Sequence, residues 1–501
     1  MIQVNISTPK NRKLCFTDNE IRKGCILKVY GFLAVAVEMH PMLILKPSPE
    51  MTDTALIQKY NVPGPRYTSY PTVPYWDEML FSVPQWTAAL QRSFKESNAA
   101  EGIGLYIHLP FCESLCTFCA CNKRITKQHN VEEPYIAAVL KEWDLYKSML
   151  PEIPVIREIH LGGGTPTFFS PKNIKKLLEG IVADCIIHPD REFSFEGHPN
   201  NTSMEHLKVL YEQGFRRVSF GVQDYNEKVQ KAIHRIQPFE NVKRTTLAAR
   251  ETGFESVSHD LVFGLPFQTL ADVRKNIAHT LELRPDRIAF YSYAHVPWIK
   301  GAGQRGFNEN DLPSGALKLQ FYKTGKALLE QAGYIEIGMD HFSLPSDRLY
   351  QSMLNKKIHR NFMGYTSSAT HVMIGLGVSA ISDSWYAFAQ NEKTIEGYYK
   401  QVNSGALAIV KGHILTNEDL IIRRHILNLM CLMATGWTPE LRYPEIEENL
   451  RELQQDDLIT ITENKIIVKP AGRSFLRNIC MAFDRRLIAK EPTTRLFSMT
   501  V

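Results

Sequence analysis

The sequence predicts an α/β protein built around a partial (β/α)6 TIM-like barrel, with a segment before the barrel and a small, mainly helical domain after it. Three features of the chain point to it. From about Ile103, short apolar runs alternate with longer amphipathic stretches, the pattern of a parallel sheet with right-handed crossovers. Six such units follow one another, which suits an incomplete barrel better than a closed eight-stranded one. After about Asn391 the alternation stops and capped amphipathic helices take over.

Taken in order, residues 1–50 stand apart. The run at 25–37, CILKVYGFLAVAV, has the look of a signal-peptide core, with Lys13, Arg22 and Lys23 upstream. Lys28 interrupts it, and it is too short to span a bilayer. No small-residue cleavage site follows. It is read as an N-terminal extension, and the main fold is expected to begin near Met51. Residues 51–100 form an N-terminal substrate or cap segment, 101–385 the barrel, and 386–501 a helical, winged-helix-like domain. The expected strands are GIGLYIHLPF, REIHLGGG, REFSFEG, FRRVSFGVQD, SVSHDLVFGLP and DRIAFYSYAHVP. Helices are expected over VEEPYIAAVLKEWDLYKSML and LADVRKNIAHTLELR, and Thr416 with Asp419 makes a capping box for a helix in the last domain. No other stretch is fit to span a membrane, so the protein is expected in the cytoplasm.

The bulk properties narrow the function. A formal charge of +5 over 501 residues is no nucleic-acid footprint, yet it tolerates acidic small molecules. Of nine cysteines, Cys112, Cys116, Cys119 and Cys121 fall within ten residues, while Cys15, Cys25, Cys185, Cys431 and Cys480 stand alone. An odd total with one dense cluster argues for metal binding in a reducing compartment over a disulfide framework. The lone cysteines are expected as small buried hydrophobes.

Cys112, Cys116 and Cys119 are spaced x3 then x2 just after the first strand. Three thiolates on a four-iron cluster leave one iron without a protein ligand, free to chelate a small molecule. The amino and carboxylate groups of S-adenosylmethionine (SAM) suit that iron, which is the arrangement of a radical SAM enzyme. A structural zinc knuckle is the competing interpretation, although the usual pair of short Cys hooks separated by a longer loop is missing. One βα unit later comes LGGGTPT at 161–167, where glycines let backbone N–H groups approach a ligand. Other strand ends carry Glu196, Gln223, Asp260, Ala294 and His295, at the end of the barrel where such enzymes place their sites. With Arg235, these are candidates for the ribose, amine and carboxylate of SAM.

With these features in hand, residues 51–483 resemble the oxygen-independent coproporphyrinogen III oxidases, radical SAM enzymes of haem biosynthesis. The resemblance rests on PGPRYTSYPT (63–72), YIHLPFCESLCTFCACNK (106–123), HLGGGTPT (160–167), GVQDYN (221–226), DLVFGLPFQT (260–269), GMDHF (338–342), HRNFMGYT (359–366) and RNICMAFD (477–484). It implies that Cys112, Cys116 and Cys119 ligate a [4Fe–4S] cluster. Cys121 would stand beside it as a catalytic residue without binding iron, and Tyr106 would pack against cluster and SAM. Gly163, Gly164, Thr165, Glu196, Gln223, Arg235, Asp260, Ala294 and Ile381 would contact SAM, with a second SAM nearby that Gln223 serves.

The implied reaction is oxidative decarboxylation of two propionates of coproporphyrinogen III to vinyl groups, giving protoporphyrinogen IX, by a 5′-deoxyadenosyl radical. The implied partners are an electron donor such as flavodoxin or ferredoxin, and the chain is expected to be a monomer. The substrate's carboxylates call for a basic mouth, for which Lys123, Arg124, His359 and Arg360 are candidates. One departure stands out: Gly197-His198-Pro199 follows Glu196, where the family usually has an aliphatic residue and Asp before Pro. The second interpretation is a radical SAM haem chaperone or haem-degrading relative. Those chaperones typically carry an aromatic residue where this chain has Cys121, and they lack PGPRYTSYPT.

Overall fold

A computed structural model describes residues 50–298 and 304–490, with Pro492, Thr494 and 496–500. The apolar run 25–37, Cys15 and Cys25 lie outside the described residues. Met51–Val501 forms a unit of its own.

Six parallel strands form where the apolar runs predict them: β1 (Ile103–Leu109), β2 (Val155–Gly163), β3 (Ile186–Gly197), β4 (Arg217–Gln223), β5 (Ser256–Phe263) and β6 (Arg287–Ser292). β1 is buried along its whole length, as in parallel sheets covered on both faces. The crossover helices include Glu132–Met149 and Leu270–Leu283, the second started by a Thr269–Asp272 capping box.

The sheet runs further than six strands. β7 (Ile335–Gly338) and β8 (His341–Ser343) extend it antiparallel beyond β6. β9 (His359–Asn361) and β10 (Gly364–Thr366) make a separate hairpin. β11 (Met373–Leu376) pairs parallel with β1, and β12 (Ile381–Asp383), β13 (Ala387–Asn391) and β14 (Ile409–Ile414) continue from it as an antiparallel meander. The twelve strands lie in the order β14-β13-β12-β11-β1-β2-β3-β4-β5-β6-β8-β7. The boundary expected at 386 therefore falls inside the main sheet. The physical reason is that the free edge of β1 is covered by paired strands, which removes an exposed row of backbone donors and acceptors.

The last part is built on the helix Asn417–Leu432, capped by Thr416 and Asp419 as expected, and a three-stranded antiparallel sheet over 434–468. Its core takes in Tyr60, Tyr67 and Tyr70 from the other end of the chain. Tyr67 donates to Asp484 Oδ2 at 3.0 Å, and Arg477 donates to the carbonyls of Gly64 and Pro65. Residues 51–100 pack into two different cores. The stretch around Tyr67 belongs to the C-terminal core, while Trp86, Leu90 and Phe94 of the helix Val83–Glu101 pack into the barrel core. Cys431 and Cys480 are buried as expected, whereas Cys185 is only partly so. Among the described residues no helix is long and apolar enough to cross a membrane.

Candidate active site

The C-terminal ends of β1 to β5 open into a cavity of about 970 Å³, including the space at its mouth. Cys112, Cys116, Cys119 and Cys121 form one wall, Gly163, Gly164 and Thr165 a second, and Glu196, Gln223, Arg235 and Asp260 a third. Residues far apart in the sequence, from Cys112 to Asp260, therefore meet around one space.

The cysteine loop is held in place by backbone. Gly164 N–H donates to the Leu109 carbonyl at 2.8 Å and Thr165 N–H to that of Phe111 at 3.0 Å. A Cβ on Gly164 would lie 2.6 Å from the Pro110 carbonyl oxygen, and one on Gly163, whose φ is +112°, would strike the His108 ring at 2.7 Å. The glycines are thus needed first for loop-on-loop contact.

The thiols face polar partners. Thr165 Oγ1 donates to Cys112 Sγ at 3.3 Å, and Arg235 Nη1 lies 3.7 Å from Cys116 Sγ. The Cys121 thiol hydrogen-bonds to Cys119, and with the Lys123 and Arg235 charges it holds the Cys119 thiol below its ordinary value. Burial pushes Cys112 up to about 11 despite Thr165, a preference that a bound metal's charge reverses. Among the described residues no three Cys, His, Asp or Glu side chains are gathered tightly enough for a single metal ion.

The opposite wall supplies carboxylates. Burial raises Glu196, but the hydrogen bond from His160 Nε2 at 3.4 Å, attraction to His160 and His108 and a hydrogen bond from the Gly163 backbone together keep the carboxyl below its ordinary value. Burial pushes Asp260 up to about 7 although Ser219 Oγ donates to it at 2.8 Å. Gln223 sits at a register shift ending β4 with φ +68°, a bulge that re-aims its side chain. Arg235 Nη2 donates to the Gly221 carbonyl at 2.7 Å.

Tyr106, Ala294 and Ile381 do not line this cavity. Tyr106 lies behind the glycine wall, bonded to His108 Nδ1 at 3.0 Å and edge-on to Phe362 at the tip of the β9–β10 hairpin. The Ala294 carbonyl accepts from Gln304 beyond β6, and Ile381 opens β12 among apolar neighbours. Sequence reasoning missed Ser219 and His160. Both were findable by period-two alternation, since Ser219 shares a strand face with Gln223, and His160 with Gly162. Of the basic candidates, only Lys123 lines the cavity. Arg124 is exposed and paired with Glu396 at 3.0 Å, so it is a surface ion pair and not part of a mouth. His359 lines a different cavity. Arg360 is buried over the Tyr365 ring, and among the described residues its Nε and Nη1 have no hydrogen-bond partner.

Three comparisons bear on what this arrangement does. Residues 106–279 match the model of the radical SAM superfamily. The chain is 38% identical over 447 residues to the oxygen-independent coproporphyrinogen III oxidase of Escherichia coli K12, covering 87% of this chain and 96% of that protein. It is 35% identical over 448 residues to the enzyme of the same name from Helicobacter pylori 26695, covering 87% and 97%. Among solved structures, the E. coli coproporphyrinogen III oxidase HemN, described as a radical SAM enzyme, superposes with a TM-score of 0.80 at 36% identity, covering 86% of this chain and 98% of that one.

Proposed function

Because the chain belongs to the oxygen-independent coproporphyrinogen III oxidases of the radical SAM superfamily, we propose a division of labour among the residues of its cavity. The protein is an oxidoreductase of porphyrin biosynthesis that acts on coproporphyrinogen III and uses a [4Fe–4S] cluster and SAM. The reaction converts two propionates to vinyl groups with loss of CO2, giving protoporphyrinogen IX. The observation that supports the assignment best is the meeting of the three spaced cysteines, the glycine turn and the β3–β5 strand ends around one cavity.

Cys112, Cys116 and Cys119 would hold the cluster, and SAM would bind beside it. When bound, cluster and SAM supply a carbon radical able to take hydrogen from an unactivated C–H bond, which no side-chain base can do. Arg235 brings a cation to the SAM carboxylate and steadies the cysteine loop. Glu196, held ionised by His160, accepts from the amine, while Asp260 and Ser219 meet the ribose hydroxyls. Gln223 lies where it can serve either one SAM or two. Tyr106 and Cys121 act from behind and beside the cluster, Cys121 without binding iron. Ala294 and Ile381, which do not line the cavity, are assigned to the adenosine on the family resemblance alone. Phe118 and Phe168 help to keep water from the reacting atoms. The proposal includes a one-electron donor such as flavodoxin or ferredoxin, a monomeric chain, and the cytoplasm, where thiols stay reduced.

An anaerobic assay with SAM, a reductant and coproporphyrinogen III tests it. Protoporphyrinogen IX with release of CO2 is expected. Intact substrate beside a fully loaded cluster would point instead to a haem chaperone or a haem-degrading relative.

A further inference from the structure

A second cavity, of about 610 Å³ including the space at its mouth, lies at the C-terminal ends of β5 and β6 beneath the C-terminal domain. Its walls are apolar, with Phe263, Leu319, Tyr322, Met339 and Leu476, but four cations reach it against one carboxylate: Arg66, Lys318, Arg473 and Arg477 against Asp340. Most of that charge is already engaged. Arg66 pairs with Asp340 at 3.2 Å, and Arg473 with Glu336 at 3.4 Å. Arg477 gives its donors to the carbonyls of Gly64, Pro65, Ser498 and Met499.

Lys318 is different. Its Nζ makes one hydrogen bond, to the Tyr293 carbonyl at 3.3 Å, and among the described residues it has no carboxylate in contact. The fold makes room for it: a Cβ on Gly264, whose φ is +84°, would lie 3.0 Å from Lys318 Cε. Burial, with the charges of Arg66 and Arg477, pulls the lysine down to about 8. Nearby, Arg360 adds charge that Arg477 feels, and among the described residues its own buried Nε and Nη1 have no hydrogen-bond partner. An apolar pocket with uncompensated positive charge is stabilised by an anion attached to an apolar arm. An acid with propionate side chains has that form.

We infer that this cavity is a carboxylate subsite, with Lys318 as its charged contact, which holds a propionate arm of the tetrapyrrole substrate. The inference rests on the function proposed above and adds to it where one end of the substrate is anchored.

The test uses the holoenzyme with coproporphyrin III, the stable oxidised form of the substrate, and its tetramethyl ester, which lacks the charges. Lys318→Met should weaken binding of the acid about 10- to 100-fold, the range of a lost charge-assisted bond. Lys318→Arg should recover most of it, and the ester should bind both variants and the wild type alike. Equal binding of the acid by Lys318→Met and the wild type would overturn the subsite, as would equal losses for acid and ester. In the unaltered chain, coproporphyrin III but not the ester should slow amine-directed labelling of Lys318, read by peptide mass spectrometry. Unslowed labelling at saturation would also overturn it. Failure of the functional proposal would show separately, as no turnover of coproporphyrinogen III by the wild type.

Discussion

Arg235 and Cys116 are in contact: the guanidinium Nη1 stands 3.7 Å from the sulfur, while Nη2 of the same side chain donates to the Gly221 carbonyl at 2.7 Å. One residue thus ties the cysteine loop to the end of β4. A lysine carries the charge but lacks the fork needed for both contacts. Arg235→Lys should lower kcat/KM for SAM by about 10- to 100-fold, the cost of a charge-assisted hydrogen bond, while iron content stays near that of the wild type. Parallel steady-state kinetics and iron analysis check both halves.

Gly164 offers a steric test. An alanine there would place Cβ 2.6 Å from Pro110 backbone atoms, which have no rotamer to escape into. Gly164→Ala should displace the cysteine loop and reduce the iron retained after anaerobic reconstitution. Gly436→Ala, whose nearest neighbour is a side-chain atom at 3.7 Å, should leave iron content and melting temperature almost unchanged.

Glu142 predicts a pH effect away from the site. It accepts from Gly377 N–H at 2.8 Å, Asn391 Nδ2 at 2.6 Å and Tyr398 OH at 2.7 Å, and burial still pushes it from 4.5 up to about 7. Between those values the folded chain keeps a proton that the unfolded chain gives up, so this residue's contribution falls as pH rises from about 4.5 to 7. Glu142→Gln loses an acceptor and destabilises by about 1–3 kcal/mol, and it cannot titrate. The stability gap between wild type and variant should therefore shrink by about 2 kcal/mol from pH 5 to pH 8. Denaturant melts of both proteins at the two pH values measure it, and a constant gap would contradict it.

Tyr67→Phe removes the hydroxyl that donates to the buried Asp484 carboxyl at 3.0 Å. A loss of about 1–2 kcal/mol is expected in chemical denaturation. Faster hydrogen exchange in residues 60–70 should accompany it, because this bond fastens the N-terminal segment to the C-terminal core.

The parallel half of the fold was legible because each strand is a buried apolar run followed by glycine or polar residues, as in REIHLGGG. The meander was not. Ile381–Asp383 has three residues and Met373–Leu376 four, too few for any period to show, and no helix separates them. The cysteine wall and Glu196, Gln223, Arg235 and Asp260 were legible because a barrel brings consecutive strand ends together. Arg124 misled because its partner Glu396 is 272 residues away, and the Tyr67–Asp484 contact spans 417. Lys318 gave no signal of its own, since its meaning depends on a cavity that brings together residues as far apart as Arg66 and Arg477.

The cluster itself is most directly tested by iron and sulfide content of anaerobically reconstituted single-cysteine variants. Cys112→Ala, Cys116→Ala and Cys119→Ala should each lose most of the iron, and Cys121→Ala should keep a full [4Fe–4S] complement. Loss of iron in Cys121→Ala equal to that in the other three would contradict a three-cysteine cluster with one iron open to SAM.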